Sequence, residues 1–202
     1  MDKYINTPIN AEITQGLHAG DYVYISGTIY VARDAAHKRM AEALDRVEKD
    51  FNGDGKLGQE ELSHKLREAL PFPIVDSAIY YMGPSPAREG KPIGSAGPTT
   101  ASRMDKYASR LLDLGQKAMI GKGKRAPEVI DGIVRNQAVY FAAVGGAGAL
   151  LSKCIKKSEL VCYGDLGAEA ILKLEVQDFP VIVVIDRDGN NLYESAAREY
   201  AK

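Results

Sequence analysis

From Ala78 onward the chain alternates short β-type runs with helical patterns, and that alternation confines it to an α/β arrangement. Ala78–Tyr81, Ala118–Ile120, Ala138–Ala143, Val161–Tyr163 and Val181–Asp186 read as strands, and helical patterns begin near Thr100, Ala126, Gly146 and Gly167. Ahead of them, Tyr22–Ile25 and Thr28–Ala32 read as two strands joined by a tight turn at Ser26-Gly27. A helix then begins at Ala35, and a second helical stretch ends near Leu70. Arg187-Asp188-Gly189-Asn190 reads as a hairpin turn between Ile185 and Leu192, with no function expected of it. No internal repeat or low-complexity stretch divides the 202 residues, so one domain spanning 1–202 is expected.

Charge excludes some partners. With 26 Lys and Arg against 27 Asp and Glu, the formal net charge of -1 gives no field that would gather nucleic acid or anionic lipid. The first ten residues lack the apolar core of a secretory signal, and the longest apolar run, Ala138 to Leu151, is broken by three glycines. A cytoplasmic protein without membrane contact is expected. Cys154 and Cys162 read as buried apolar residues; two thiolates cannot build an iron-sulfur site that needs three or four.

Polar residues gather at four strand-to-helix junctions, where open α/β sheets bind ligands. At the first, Asp34 reads as a helix N-cap, with Arg33 and His37 four residues apart. At the second, Thr100 is placed to cap the helix through its hydroxyl, which leaves Thr99 free, and Arg103 falls in the first turn. A helix N-terminus with a guanidinium beside it suits an anion, above all a carboxylate. At the third, Gly121 and Gly123 let backbone approach a ligand beside Lys122. Gly145-Gly146 opens the fourth. The GxxxxGK[ST] spacing of a P-loop is absent, because Lys124 follows Gly123. Two arginines and a lysine around a hydroxyl describe a pocket for a small dianion.

The segments VARDAAHKRM, YYMGPSP, IGSAGPTTASRMDKY, IGKGK, YFAAVGGAGALL and LGAEAILKLEVQDFPVIVVIDRDGN, in that order, closely resemble the beta subunit of class I, iron-sulfur fumarate hydratase and of its relative L-tartrate dehydratase. The resemblance runs from about Gly20 onward and corresponds to the C-terminal domain of single-chain members. It implies a swivelling β/β/α domain and an alpha subunit that holds a 4Fe-4S cluster on its own cysteines. It also implies a hetero-oligomer acting on a small dicarboxylate. By motif match, Arg33 and Arg103 clamp a carboxylate, Lys122 adds charge, Thr100 lies beside the substrate and Thr99 is the base. Asp34 and His37 are expected behind Arg33, orienting it. A hydroxyl needs neighbouring cations to serve as a base. Dehydration of tartrate, a phosphate-ester site on Gly121 to Gly123, and a non-catalytic calcium-binding or scaffolding module are the other readings.

One segment, at about 45–70, departs from that family pattern. Asp50 to Glu61 has the spacing of an EF-hand loop: oxygen ligands at Asp50, Asn52 and Asp54, a turn glycine at Gly55, the Lys56 carbonyl, and a bidentate Glu61. Apolar residues at Met40, Leu44 and Val47, and at Leu62, Leu66 and Leu70, supply two flanking helical faces. An inserted helix-loop-helix binding Ca2+ is expected, as a structural clip.

Overall fold

The computed structural model describes residues 2–54 and 58–200, with the side chains of residues 52–54 and 197–200 left aside. Its strands are β1 (Lys3–Asn6), β2 (Tyr22–Val31), β3 (Ala78–Tyr80), β4 (Ala118–Gly121), β5 (Val139–Ala142), β6 (Ile155–Cys162) and β7 (Ile171–Ile185). The helices are α1 (Ala11–Gln15), α2 (Asp34–Asp54), α3 (Gln59–Glu68), α4 (Asp105–Asp113), α5 (Pro127–Arg135), α6 (Gly148–Cys154) and α7 (Leu192–Tyr200). The α/β reading holds. Among the described residues, no helix is long and apolar enough to cross a membrane.

The sheet runs β1-β2-β3-β4-β5-β7-β6, and an additional pairing of β2 with β7 closes β2, β3, β4, β5 and β7 into a ring. β2, β3, β4 and β5 are parallel, while β7 runs antiparallel to β2, β5 and β6. Because side chains alternate across a strand, each ring strand feeds two cores. Ile79, Tyr81, Met119 and Tyr140 pack outward with Met40, Leu44, Ala108, Leu111, Val129 and Ile133 of the helices. Tyr80, Ile120, Val139, Phe141, Leu174 and Val183 pack together on the other face. Strands buried on both faces need the near-continuous apolar runs that make β3, β4 and β5 legible in sequence.

Three expectations are corrected and one turn is confirmed. Ser26-Gly27 is no hairpin: β2 continues through it, and the pairing with β7 shifts register between Ile25 and Gly27. Gly27 at φ +107 takes up the irregularity, and a bulge and a tight turn draw on the same local signature. No α-helix starts at Gly167, where φ is +58; a short 3-10 turn over Gly164–Glu169 leads into β7. Leu174 and Val176 are buried while Lys173 and Glu175 are only partly so, a period of two that the good helix formers around them conceal. The turn at Arg187 to Asn190 exists, held by the buried Asp186 carboxylate, which accepts from the backbone N–H of Asp188, Asn190 and Ala19. Beyond it, only Ile185 and Asn191 bridge before α7 begins. Cys154 and Cys162 are half-buried rather than fully buried.

The expected calcium loop is also altered. α2 runs unbroken from Asp34 to Asp54, so Asp50, Asn52 and Asp54 stand on helical backbone and not in a ligand loop. The helix persists because Met40, Leu44, Val47 and Phe51 continue its apolar stripe at helical spacing. Lys56 lies outside the described residues, as do the side chains of Asn52 and Asp54; Glu61 sits exposed in the first turn of α3.

Candidate active site

The carboxyl ends of β2, β3 and β4 share one edge of the parallel sheet, and the expected residues leave it side by side. β2 ends at Val31 and passes through Arg33 into α2. β3 passes through Tyr81 to Gly83, and the chain returns at Thr99 after a loop closed by the bridge between Met82 and Pro98. β4 passes through Gly121 to Lys122. Backbone bonds then lock the second and third junctions: the Thr99 N–H donates to Tyr81 O (2.7 Å), Lys122 N–H to Thr99 O (3.3 Å), and Ala101 N–H to Lys122 O (2.8 Å). Thr99, Thr100 and Lys122 therefore form one unit, with Thr99 half-buried and Lys122 exposed.

Asp34 ties that unit to the first junction. Its Oδ1 accepts from Arg103 Nε at 2.8 Å, and its Oδ2 stands 3.8 Å from Arg33 Nε. Arg33 Nη2 lies 3.4 Å from Glu169, and a Cβ on Gly83 would come within 2.6 Å of Arg33 Nη1, so glycine there makes room for the guanidinium. Arg103 uses only Nε on Asp34, which leaves the outer face of its fork for a second carboxylate. Together these side chains make an open cationic edge. Two pockets elsewhere on the chain have other walls, one around Thr7 and Ser77 and one between Ser85 and Lys153.

The expected capping roles shift. Thr100 has the extended backbone of an N-cap but makes no side-chain capping bond, because the turn it opens is a 3-10 turn, Ala101–Met104, that precedes α4. Arg103 lies in this turn and not in the first turn of the α-helix. Asp34 is occupied by the arginines, and the Ala35 N–H of α2 is capped instead by Glu169 Oε2 at 2.9 Å. His37 holds Arg33 through its backbone: Nδ1 lies 2.9 Å from the Arg33 carbonyl, which fixes Nδ1 as the protonated nitrogen of a neutral ring. Burial lowers its pKa to about 4, with the Arg33 hydrogen bond opposing and the nearby Arg125 charge adding to the drop.

Sequence reasoning missed what stands beneath this edge. Arg125 is 6% exposed, bonds Asp105 Oδ1 through Nε at 2.7 Å, and lies 5.4 Å from the Tyr81 ring and 4.9 Å from the Tyr140 ring. Asp105 Oδ2 also accepts the Ala126 N–H at 2.7 Å. Tyr140 donates its hydroxyl to Gly123 O at 2.9 Å, and Tyr193 Oη accepts the Gly123 N–H at 3.2 Å, so two tyrosines pin the Lys122 turn from below. Burial pushes the Tyr81 phenol up, opposed by Arg125. A buried ion pair, Arg125 with Asp105, thus underlies the loop that carries Thr99 and Lys122. Its only sequence signal is the polar run from Lys122 to Arg125, which reads equally as a solvated turn.

The chain's own residues do not fit an iron-sulfur cluster. Cys154 ends α6 and Cys162 ends β6, the two pack against different cores, and burial pushes the Cys154 thiol up, away from the thiolate a metal needs. Among the described residues no group of three or more His, Cys, Asp or Glu side chains converges on a possible metal position.

The chain is similar to known proteins over most of its length. The profile of the Fumarase C-terminus family matches residues 3–53 and 57–196. The chain is 39% identical over 172 residues to the aerobic class I fumarate hydratase of Escherichia coli, which covers 84% of the chain and 28% of that protein. The Salmonella typhimurium counterpart is likewise 39% identical, with 26% of its length covered, so the chain spans about a quarter of the fumarate hydratases it matches. A Methanocaldococcus jannaschii protein, provisionally named L(+)-tartrate dehydratase subunit beta, is 33% identical over 98% of the chain and 94% of its own length. The Escherichia coli L(+)-tartrate dehydratase subunit beta is 28% identical, over the whole chain and 92% of that subunit.

Proposed function

The chain belongs to the Fumarase C-terminus family, and on that premise we propose that it is the carboxylate-gripping beta subunit of a hydro-lyase interconverting fumarate and L-malate. The observation that carries the proposal is the pairing of Arg33 and Arg103 across Asp34, beside the Thr99–Lys122 unit. Arg103 and Arg33 take one substrate carboxylate, and Lys122 faces the same charge. Thr99 Oγ1 holds the proton exchanged with the adjacent carbon. As that proton leaves carbon, negative charge moves onto the gripped carboxylate, where the arginines and Lys122 already stand; preorganised charge of this kind stabilises the transition state more than the substrate. The same cations favour the alkoxide form of Thr99.

A 4Fe-4S cluster, in this reading, belongs to an alpha subunit, in keeping with two distant cysteines here. The ring of strands with helices packed on it supports the swivelling β/β/α domain, and the chain works as part of a hetero-oligomer in the cytoplasm. Dehydration of L-tartrate is the second reading, favoured by one observation: the chain matches tartrate dehydratase beta subunits over nearly their full length.

The test is an anaerobic assay of fumarate hydration and tartrate dehydration, with the chain alone and with a cluster-loaded alpha subunit from the same source. Activity in the mixture alone supports a two-part site, and the faster substrate decides between the readings. Silence on both substrates with an intact cluster would overturn the proposal in favour of a non-catalytic module.

A further inference from the structure

The loop between Met82 and Pro98 does more than return the chain to Thr99. It forms one wall of a pocket of about 450 Å³ whose other wall is α6 and the start of β6. Arg88 and Lys91 line it from the loop and Lys153 from the helix, with Ser85, Ser95 and Ser152 between them. Among the described residues no carboxylate lines it. Arg88, Lys91 and Lys153 make no ion pair among the described residues, a state they share with Arg46 and Arg67 but not with Arg33, Arg39, Arg103, Arg110, Arg125 and Arg135. In a chain of net charge -1, three unpaired cations around one concavity are a local excess.

Local structure explains their convergence. The Lys91 N–H donates to Arg88 O at 3.0 Å, closing a turn with Gly90 at φ +70 that brings its first and fourth residues together. The facing walls are held close: Ala96 N–H donates to Gly148 O at 3.0 Å, and a Cβ on Gly148 would come within 2.8 Å of Gly97 N. Ser85 Oγ accepts the Ser95 N–H at 2.8 Å and so keeps its own proton free to donate. The polar side chains of this lining are all cations or hydroxyls, and Pro86, Pro92, Ile93 and Ile155 supply an apolar floor.

We propose that this pocket binds a small polyvalent anion, a compact molecule bearing several carboxylate or phosphate groups, at a site separate from Arg33, Arg103 and Lys122. Three cations from two walls match a ligand with at least two anionic groups better than a monovalent ion. The loop wall ends at Ser95, four residues before Thr99, so an occupant would lie beside the segment that carries the proposed base.

Citrate and inorganic pyrophosphate, titrated calorimetrically at constant ionic strength, test it and separate carboxylate from phosphate recognition. The unmodified chain is expected to take up one equivalent of at least one of them. Arg88→Ala/Lys91→Ala/Lys153→Ala should weaken that uptake tenfold or more without shifting the thermal midpoint, and Arg33→Ala/Arg103→Ala should leave it unchanged. Lys153→Glu alone should also abolish it, a second variant in case the triple one is damaged. Uptake of neither probe, or uptake sensitive to the arginine pair and indifferent to the pocket variants, would overturn the assignment.

Discussion

Asp34 gives each carboxylate oxygen to a different guanidinium, 2.8 Å from Arg103 and 3.8 Å from Arg33, and so spaces two like charges that would otherwise repel. That spacing is what makes them a clamp. Thr99→Ala removes the proposed proton carrier and leaves the clamp intact, so kcat should fall by about 10² to 10⁴ with KM little changed; a loss below tenfold would move the base elsewhere. His37 gives a prediction on stability. Its pKa is about 4 in the folded protein against 6.5 for the free side chain, so between those values the unfolded chain binds a proton that the native one refuses. Stability should therefore be full above about pH 6.5 and fall as pH drops toward 4, by about 3 kcal/mol from this group. Urea unfolding of the parent and of His37→Gln at pH 7 and 4.5 checks this; an equal pH dependence in both would clear His37 of the effect. The residues legible in sequence were those that leave a strand end beside a helix start: Arg33, Thr99, Arg103 and Lys122. Arg125 was not, because its partner Asp105 lies 20 residues away and nothing local marks a charge that folds into the core.

Elements were legible where their burial is two-sided and obscure where it is not. β3, β4 and β5 are short apolar runs because each face meets a different core. β6 exposes Lys156, Lys157, Glu159 and Leu160, a charged edge strand with no apolar run to find, and only its last residues were read as a strand. β7 was half seen, since its first half looks helical by composition. The Arg125–Asp105 pair joins α4 to the start of α5, and breaking it leaves a charge in the core. Asp105→Ala should cost about 3 to 5 kcal/mol, read from the denaturant midpoint, with Arg125→Met/Asp105→Leu much closer to the parent. A loss under 1 kcal/mol would mean that the pair is solvated in solution. At α2, binding Ca2+ with Asp50, Asn52, Asp54, Lys56 and Glu61 would require the helix to release its last turn, so calcium should lower the helical circular dichroism if the loop forms. Calorimetric titration of metal-free protein without calcium uptake would remove that reading.

At the scale of the whole molecule, the functional edge is open because the ring places its junction residues on a rim. Arg103 remains about half exposed even with Asp34 bound, a surface that suits a second protein better than a solitary pocket. Family membership was legible from six ordered segments, while the closure of the ring was not, since it depends on a pairing that no local pattern records. That pairing joins Thr28 to Glu175, 147 residues apart. A ribosome releases β2 with one long edge bare and must add nearly the whole remaining sheet before β7 arrives to cover it. Until then β2 is an unprotected template for strands of neighbouring nascent chains. The seam that gives the ring its coherence thus sets the most hazardous interval in the chain's synthesis, and variants that weaken β7 should be lost to aggregation and proteolysis before their equilibrium stability explains the deficit.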